Sequence, residues 1–254
     1  MQTTCSKKRP VVSVIIPAYN GSRTIGQAVR SVLAQDVPLE IIIVDDCSDD
    51  DLQKALLPFA GCGCLKLLRN NVNLGVAESR NRGVRHAAGR FVAFLDCDDW
   101  WEKDKLKRQL HLMRKTGCVL CSTARRLTTP EGVRLNRVIH VKTHLRAGDL
   151  LFQNPIACSS VLLRRDAALR FPMAHDECHE DYLTWYKIVK AYHHACAVDL
   201  PLLNYRLSNS GKSGNKLKSA KMTYQTYRHM GFGPFISAAC FAGYALNGVR
   251  KYFF

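Results

Sequence analysis

Three carboxylates at the end of one apolar run are the residues best suited to chemistry. The run FVAFL (91–95) leads directly into Asp96, Asp98 and Asp99. Carboxylate oxygens are the ligands that Mg²⁺ and Mn²⁺ prefer, and such ions commonly bridge phosphates. An Asp-x-Asp pair also occurs by chance in loops, so the motif alone is weak evidence. Its position after a predicted buried strand nevertheless favours an Mn²⁺ or Mg²⁺ site at these three residues.

The net charge of the chain is opposite in sign to this cluster. Lys and Arg number 37 against 21 Asp and Glu in 254 residues, a formal net charge of +16. Such a surplus predicts an anionic partner, such as nucleic acid, an acidic membrane surface or a phosphorylated substrate, with solubility as the alternative. The basic residues are dispersed and match no nucleic-acid-binding motif, so we expect no nucleic-acid partner. A phosphorylated substrate bound through a metal would reconcile the basic chain with its acidic cluster.

The cysteine pattern predicts a reduced, cytoplasmic protein. The 11 cysteines are odd in number and evenly spread, which is not typical of a disulfide framework. Cys118 and Cys121 form a C-x-x-C without a second pair, so zinc is not favoured there. His175, Cys178 and His179 are a second zinc candidate, although we prefer a role as a loop beside the substrate. We find no signal-peptide pattern and no confident membrane span.

Strand and helix patterns alternate through the first 117 residues. The predicted strands are 11–16, 39–46, 65–70 and 90–95, and the predicted helices are 21–35, 51–60, 76–89 and 102–117. The first strand should stop at Pro17, and the last two helices at Gly89 and Gly117. This order predicts an α/β fold: a Rossmann-like, mostly parallel sheet with helices on both faces. Because ligands bind at the carboxyl ends of such strands, PAYN, DDCSDD and DCDDWW should line one crevice.

The second half of the chain changes character. We predict a hairpin at 125–141 turning at 130–132, a strand at 156–165, a helix at 180–192, an edge strand and loop at 195–207, and a basic helix at 216–230. The predicted organisation is an N-terminal tail (1–10), a main domain (11–215, with halves 11–117 and 118–215) and a helical C-terminal extension (216–254).

The C-terminal extension joins basic residues to an apolar stretch at 232–249. That combination predicts attachment to an anionic membrane surface, lying in the interface and not crossing it. A helix packed on the domain is the alternative.

Several common enzyme classes lack their motifs here. The sequence has no P-loop, no G-x-G-x-x-G after its first strand and no G-x-S-x-G. Instead, SVIIPAYNGSRTIGQAVRSVLAQ, IIIVDDCSDD, NVNLGVAESRNRG and FVAFLDCDDWW, in that order, resemble the inverting glycosyltransferases of family 2, which have the A-type nucleotide-sugar fold. HEDY followed by Trp185 resembles the Glu-Asp element of that family, and LNYRLSNSGKSGNK its closing Tyr-Arg loop. The resemblance covers residues 11–215.

The resemblance implies metal-dependent, inverting hexosyl transfer. The donor would be a UDP-sugar and the acceptor a glycan or lipid-linked glycan, in lipopolysaccharide, O-antigen or capsule synthesis. The enzyme would be cytoplasmic and peripheral on the cytoplasmic face of the inner membrane. Asp181 corresponds to the general base and Asp98 to the main direct metal ligand. The remaining implied site residues are Pro17, Ala18 and Tyr19 at the nucleoside, Asp45 or Asp46 at the base, Gly75, Arg80, Asn81 and Asp96 around the donor, and Arg206, with Lys212, at the leaving diphosphate.

Structural roles are the alternatives for several of these residues. Asp45 and Asp46 could cap the next helix. Arg80 could be a solvated helix residue. Trp185 could stack on the acceptor sugar or pack in the core, and Trp100 and Trp101 could line the crevice or the core.

Two other functions stay open at this point. A nucleotide-sugar binder without catalysis would use the same donor residues. An Asp-x-Asp phosphatase is disfavoured, because such enzymes place their nucleophile after the first strand and this pair follows the fourth.

Overall fold

The computed structural model describes residues 9–207 and 216–253 of the chain, with side chains for 9–207 and 217–247. The strands in this part of the chain are β1 (Val12–Ala18), β2 (Leu39–Asp45), β3 (Leu65–Arg69), β4 (Phe91–Phe94), β5 (Trp100–Trp101), β6 (Leu120–Thr128), β7 (Arg134–Ile139), β8 (His144–Leu145), β9 (Leu162–Arg164) and β10 (Ala195–Arg206). The α-helices are α1 (Ile25–Leu33), α2 (Leu52–Leu56), α3 (Val76–His86), α4 (Lys105–Thr116), α5 (Arg165–Arg170), α6 (Glu180–Tyr192), α7 (Lys216–His229) and α8 (Pro234–Phe253).

The strands form one mixed sheet. Its order is β3-β2-β1-β4-β9-β6-β10-β5, with β7 paired to β6 and β8 to β10. Strands β3, β2, β1 and β4 are parallel, as the alternation of strand and helix predicted. The second half adds β9, which runs antiparallel to both β4 and β6 and joins the two halves into one sheet. The predicted α/β fold with flanking helices is confirmed.

The two faces of the sheet have separate apolar cores. Successive side chains of a strand point to opposite faces, so Ile15 of β1 joins the cluster that contains Val84 of α3. Its neighbour Ile16 joins the cluster that contains Val29 of α1. These β-branched side chains are fully buried, and burying each one stabilises the fold by about 1.5–3 kcal/mol. The continuous apolar pattern of β1 therefore reflects cover on both faces.

Two predicted boundaries were wrong. Strand β1 continues through Pro17 to Ala18 because its pairing with β4 ends at Ile15, so beyond that point β2 is its only partner; a proline is tolerated where no second ladder needs its N–H. Helix α3 ends at His86, before Gly89. The backbone N–H of Gly89 instead donates to Ser13 Oγ at 2.9 Å. The predicted stop at Gly117 is confirmed by its left-handed φ of 71°.

Strand β10 is not the edge strand that the sequence predicted. It lies between β6 and β5, and it pairs with β6 in parallel from Cys196 to Arg206. Register shifts on both sides of Pro201 accommodate the proline within the ladder. The strand predicted at 156–165 is also shorter, because a 3₁₀ turn at Cys158–Ser160 precedes β9. The hairpin β6–β7 and helix α6 lie where they were predicted.

A disulfide corrects the prediction that the thiols are all reduced. It joins Cys118, just before β6, to Cys196 in β10, 78 positions later in the sequence. The pairing follows from the adjacency of two parallel strands, which the spacing of the cysteines does not reveal. No second disulfide is found among the described residues.

The C-terminal helices pack on the domain by one face only. Ser237 and Cys240 of α8 are buried, and the ring of Tyr244 lies 6.3 Å from that of Tyr182. The opposite face leaves Phe235 and Leu246 89% and 69% exposed. Within the described residues, no helix has the length and hydropathy needed to cross a bilayer.

Candidate active site

The carboxyl ends of β1, β2 and β4 meet at one open cleft. The backbone N–H of Asp46 donates to the carbonyl of Ala18 at 2.8 Å, and that of Asn20 donates to Ser48 Oγ at 3.1 Å. A cleft of about 1040 Å³ lies beside these ends. Its lining includes Asn20, Ser22, Asp49, Asp98 and Arg206. Residues of all three predicted segments therefore border one crevice, next to Pro17 and the exposed Tyr19.

Asp45 and Asp46 are buried and hold the surrounding loops. Asp45 Oδ2 pairs with Arg69 Nη1 at 2.5 Å. Asp46 accepts the backbone N–H groups of Leu74 and Gly75, both at 2.9 Å. The helix-cap alternative is wrong, because α2 begins after Asp51 and neither carboxylate bonds to its N-terminus. Asp46 fixes the loop that opens α3, and contact of either acid with a nucleotide base stays a prediction.

The carboxylates of the acid cluster after β4 are crowded together, and Asp99 is buried. Burial and the charge of Asp96 raise the pKa of Asp98 to about 6. Burial and the charges of Asp98 and Asp96 raise the pKa of Asp99 well above its usual value. Asp99 Oδ1 accepts the backbone N–H of Arg206 at 2.9 Å, while its buried Oδ2 has no hydrogen-bond partner among the described residues. Crowded carboxylates with an unpartnered buried oxygen suit a hard divalent cation, so the residues fit the predicted metal.

Arg80 is a buried bridge between the two acidic motifs. Its side chain on α3 is 4% exposed, which rules out the solvated alternative. Nη2 binds Asp96 Oδ1 at 2.6 Å, and Nη1 binds Glu180 Oε1 at 2.9 Å. Burial alone would lower the pKa of Arg80, but Cys158, Asp96 and Glu180 raise it well above its usual value. The cation is therefore permanent, and it holds the end of β4 and the start of α6 together.

Asp181 lies in the first turn of α6, one residue after that ion pair. Its Oδ1 accepts the backbone N–H of Tyr182 at 2.7 Å. Burial and the charge of Glu180 raise its pKa to about 6, against the opposing effects of Arg80 and His179. A carboxylate with such a pKa is ionised at neutral pH and more basic than an exposed one. These are the properties required of a general base.

The loop that opens α3 lies against the loop that precedes α6. Gly75 has a φ of 87°, and a Cβ placed on it would lie 2.2 Å from Asp176 Oδ2, so only glycine is accommodated without rearrangement. Asn81 binds the backbone of Met173 with both side-chain atoms, at 2.7 and 2.9 Å. Both residues hold two loops together; direct contact with a donor stays a prediction for them.

Arg206 ends β10 beside the acid cluster. Its Nε donates to the carbonyl of Asp98 at 2.8 Å, and Nη2 donates to Gln27 Oε1 at 2.8 Å. Its guanidinium also lies over the ring of Trp100, 5.2 Å from the centroid. Arg206 therefore lies beside the acid cluster, and its contact with a leaving diphosphate stays a prediction. Lys212 and the rest of the predicted closing loop, 208–215, lie outside the described residues.

The tryptophans and the second zinc candidate, His175, Cys178 and His179, require corrections. Trp185 is fully buried and its ring lies 6.0 Å from that of Phe94, so it belongs to the core and cannot stack on an acceptor. Trp101 is buried too and donates from Nε1 to the carbonyl of Ser159 at 2.8 Å. Cys178 is buried and is not part of a possible metal-binding group in the described chain; the grouping found there is His175, Glu177 and His229.

Two partners in this site were missed from the sequence. Glu180 was taken only as part of a motif, and its pairing with Arg80 depends on α3 and α6 being neighbours. Ser159 accepts the backbone N–H of Asp96 at 3.0 Å, from the turn before β9. Neither contact has a local sequence signal. The one sequence signal for the burial of Arg80 is its spacing on α3, which puts it on the same face as Ala77 and Val84.

Comparison with known proteins identifies a family. The model "Glycosyl transferase family 2" matches residues 13–171, more than half of the chain. The putative teichuronic acid biosynthesis glycosyltransferase TuaG of Bacillus subtilis is 37% identical over 96% of this chain and 98% of its own. An Escherichia coli protein named UDP-Glc:alpha-D-GlcNAc-diphosphoundecaprenol beta-1,3-glucosyltransferase WfgD is 30% identical over 96% of each chain.

A solved structure shows the same fold. S. aureus TarS 1-349, in complex with UDP-GlcNAc, superposes with a TM-score of 0.71 over 92% of this chain and 71% of that chain. At 18% sequence identity, this likeness concerns the fold alone.

Proposed function

This chain belongs to glycosyl transferase family 2, and we propose that it moves a hexosyl group from a UDP-sugar to a hydroxyl of a glycan or lipid-linked glycan, with inversion. The observation that carries the proposal is the Arg80 bridge. It links Asp96 of the acid cluster to Glu180, the residue next to the candidate base Asp181. Inverting transfer requires both functions at once: a base on the acceptor and positive charge at the leaving group.

On the acceptor side, Asp181 removes the proton of the attacking hydroxyl. Its carboxylate is partly buried, and its raised pKa of about 6 suits proton removal near neutral pH. The bond to the backbone N–H of Tyr182 fixes one of its oxygens and leaves the other for the acceptor. Arg80 holds Glu180 and so orients the first turn of α6. As the base accepts the proton, the acceptor oxygen bonds to the anomeric carbon.

On the donor side, the charge that develops on the departing diphosphate must be neutralised. Asp98, with Asp96 and Asp99, would hold Mn²⁺ or Mg²⁺, which when bound supplies positive charge at the diphosphate. Arg206 lies beside Asp98 and adds a fixed cation on the same side of the cleft. Arg80 takes one oxygen of Asp96, so Asp98 is the more available direct ligand.

The choice of donor and acceptor draws on the relatives. WfgD is named for a UDP-Glc donor and a diphosphoundecaprenol-linked acceptor, and TarS was solved with UDP-GlcNAc. TuaG is named for teichuronic acid biosynthesis. By this likeness we propose a UDP-sugar donor and a role in the synthesis of a surface polysaccharide, such as lipopolysaccharide, O-antigen or capsule.

Attachment to an anionic membrane surface completes the proposal. The exposed face of α8 presents Phe235 and Ile236, while α7 carries exposed basic residues such as Lys218 and Lys221. An apolar face next to basic groups is typical of segments that lie in a membrane interface. A lipid-linked acceptor would be met at such a surface, on its cytoplasmic face.

The direct test is UDP release from a panel of UDP-sugars, with Mn²⁺ and then with a chelator. The proposal predicts metal-dependent release from one donor when a lipid-diphosphate-linked sugar is supplied, and loss of that release in Asp98→Ala. UDP-sugar binding without release from any donor–acceptor pair would contradict it and leave a nucleotide-sugar binder.

A further inference from the structure

A second group of metal-ligand side chains lies away from the acid cluster, where the loop before α6 meets the end of α7. The group consists of His175 and Glu177 from the loop and His229, the last residue of α7. One ligand atom from each lies within 4.8 Å of the other two. Glu177 Oε1 is 3.0 Å from His175 Nδ1 and 3.2 Å from His229 Nε2.

These separations match the edges of a small metal-coordination polyhedron. Zinc bonds of about 2.0–2.1 Å in tetrahedral geometry place neighbouring ligand atoms roughly 3.3 Å apart. Two edges of the triangle are already near that length, and the two imidazole rings stack with centroids 3.9 Å apart. The His–His edge needs adjustment, and the two stacked rings must turn so that both nitrogens point at one ion. Both side chains are partly exposed.

The ligand types favour a different metal from the acid cluster. Imidazole nitrogens suit zinc and its neighbours in the transition series, whereas the all-carboxylate group at 96–99 suits Mg²⁺ or Mn²⁺. Two histidines and a glutamate form a three-ligand set that leaves a position for water. The exposure of all three side chains allows that water to reach the metal.

We propose that His175, Glu177 and His229 bind Zn²⁺ and clamp the C-terminal helices to the acceptor side of the cleft. The same loop already contacts α7 through His179, whose backbone N–H donates to Thr226 Oγ at 3.1 Å. It contacts the donor side through Asp176, which packs against Gly75. A metal here would therefore fix the loop before α6, which contacts α7 on one side and the loop that opens α3 on the other.

The alternative is a cluster held by hydrogen bonds alone, with Glu177 accepting from both histidines. The two arrangements differ in what the facing nitrogens carry: a proton in the first case, a metal in the second. Zinc content and the visible spectrum of a cobalt-substituted sample distinguish them directly, without reference to catalytic activity.

The experiment uses the full-length chain without a histidine tag, dialysed against Zn²⁺ in excess Mg²⁺ so that the acid cluster is occupied. Elemental analysis and competition with a chromophoric chelator give zinc content and affinity. The variants are Glu177→Gln, which keeps a hydrogen-bond acceptor, and His229→Ala. The matched control is His140→Ala, because His140 pairs with Asp199 at 3.1 Å in an exposed pair that is not in the three-residue group.

The proposal predicts one zinc ion per chain in the wild type and in His140→Ala, and an affinity weaker by at least about tenfold in Glu177→Gln and His229→Ala. It also predicts an intense, tetrahedral-type cobalt spectrum that both variants lose. Thermal unfolding without metal shows whether each variant is folded. A wild type without zinc, or equal zinc affinity in all the variants, would overturn the proposal.

Discussion

Two carboxylates with similarly raised pKa values serve opposite sides of the proposed reaction. Burial raises the pKa of both Asp98 and Asp181 to about 6. The charged groups around each carboxylate favour different roles for Asp98 and Asp181. Asp98 lies among other acids and next to Arg206, which suits metal and diphosphate. Asp181 is opposed by Arg80 and stands at a helix start, which suits proton transfer.

Activity should therefore depend on pH through Asp181. Its raised pKa means that the carboxyl holds a proton below about pH 6 and cannot accept one from the acceptor. We expect kcat/KM, measured at saturating metal so that the acid cluster is occupied, to rise through pH 6 and level off above it. Glu180→Gln removes one charge that raises the pKa, so it should move this rise to lower pH. A flat profile between pH 5 and 7 would contradict the assignment.

At the scale of elements, the ion pairs of Arg80 hold the candidate site together. Three elements that are distant in sequence meet at its guanidinium: α3, the end of β4 and the start of α6. Asn81 on the same helix binds the backbone before α6 through a reciprocal pair of hydrogen bonds. Helix α3 thus positions both Asp96 and the first turn of α6, which carries the candidate base.

Removing the Arg80 side chain should destabilise the fold. We expect Arg80→Ala to lower the free energy of unfolding by roughly 3–5 kcal/mol, because it leaves Asp96 and Glu180 without their shared buried cation. Arg85→Ala, on the exposed face of the same helix, breaks only a pair with Glu78 and should cost about 0–1 kcal/mol. Urea unfolding measures both. Equal small losses in the two variants would show that the buried bridge contributes nothing to stability.

The elements were more predictable than their contacts. Buried apolar runs located β1, β2 and β4, and helical periodicity located α6, because those patterns report burial directly. The reach of β1 past Pro17 and the interior place of β10 depend on which strands are neighbours, which is a tertiary property. For the same reason the sequence did not predict the Arg80–Glu180 pair, although the family resemblance named Arg80 and Asp181 as candidate site residues, and it missed the Cys118–Cys196 disulfide.

At the scale of the whole molecule, the C-terminal helices give the domain an asymmetric surface. One face of α8 packs on the domain through Ser237 and Cys240, and the other leaves Phe235 and Ile236 in solvent. The sequence analysis treated packing on the domain and attachment to a membrane as alternatives. One helix with two such faces is compatible with both. The net charge of +16 adds a long-range attraction to anionic surfaces.

The exposed face of α8 should mediate binding to vesicles. We expect the wild type to sediment with vesicles that contain anionic lipid, less so at high salt because the charges are screened. Phe235→Ser combined with Ile236→Ser should weaken the partition by about tenfold or more, since two large apolar side chains no longer enter the interface. Leu57→Ser, at a side chain 67% exposed outside α8, is the control. Unchanged sedimentation of the double variant would exclude this surface.

If Asp181 is the general base, Asp181→Asn should separate donor binding from sugar transfer. The amide keeps the shape of the side chain but cannot take the acceptor proton. We predict that sugar transfer falls by about 10²–10⁴-fold while UDP-sugar affinity is unchanged. Asp104→Asn, at an exposed acid just before α4, should match the wild type in both measurements. Full transfer activity in Asp181→Asn would contradict the central claim that this residue is the general base.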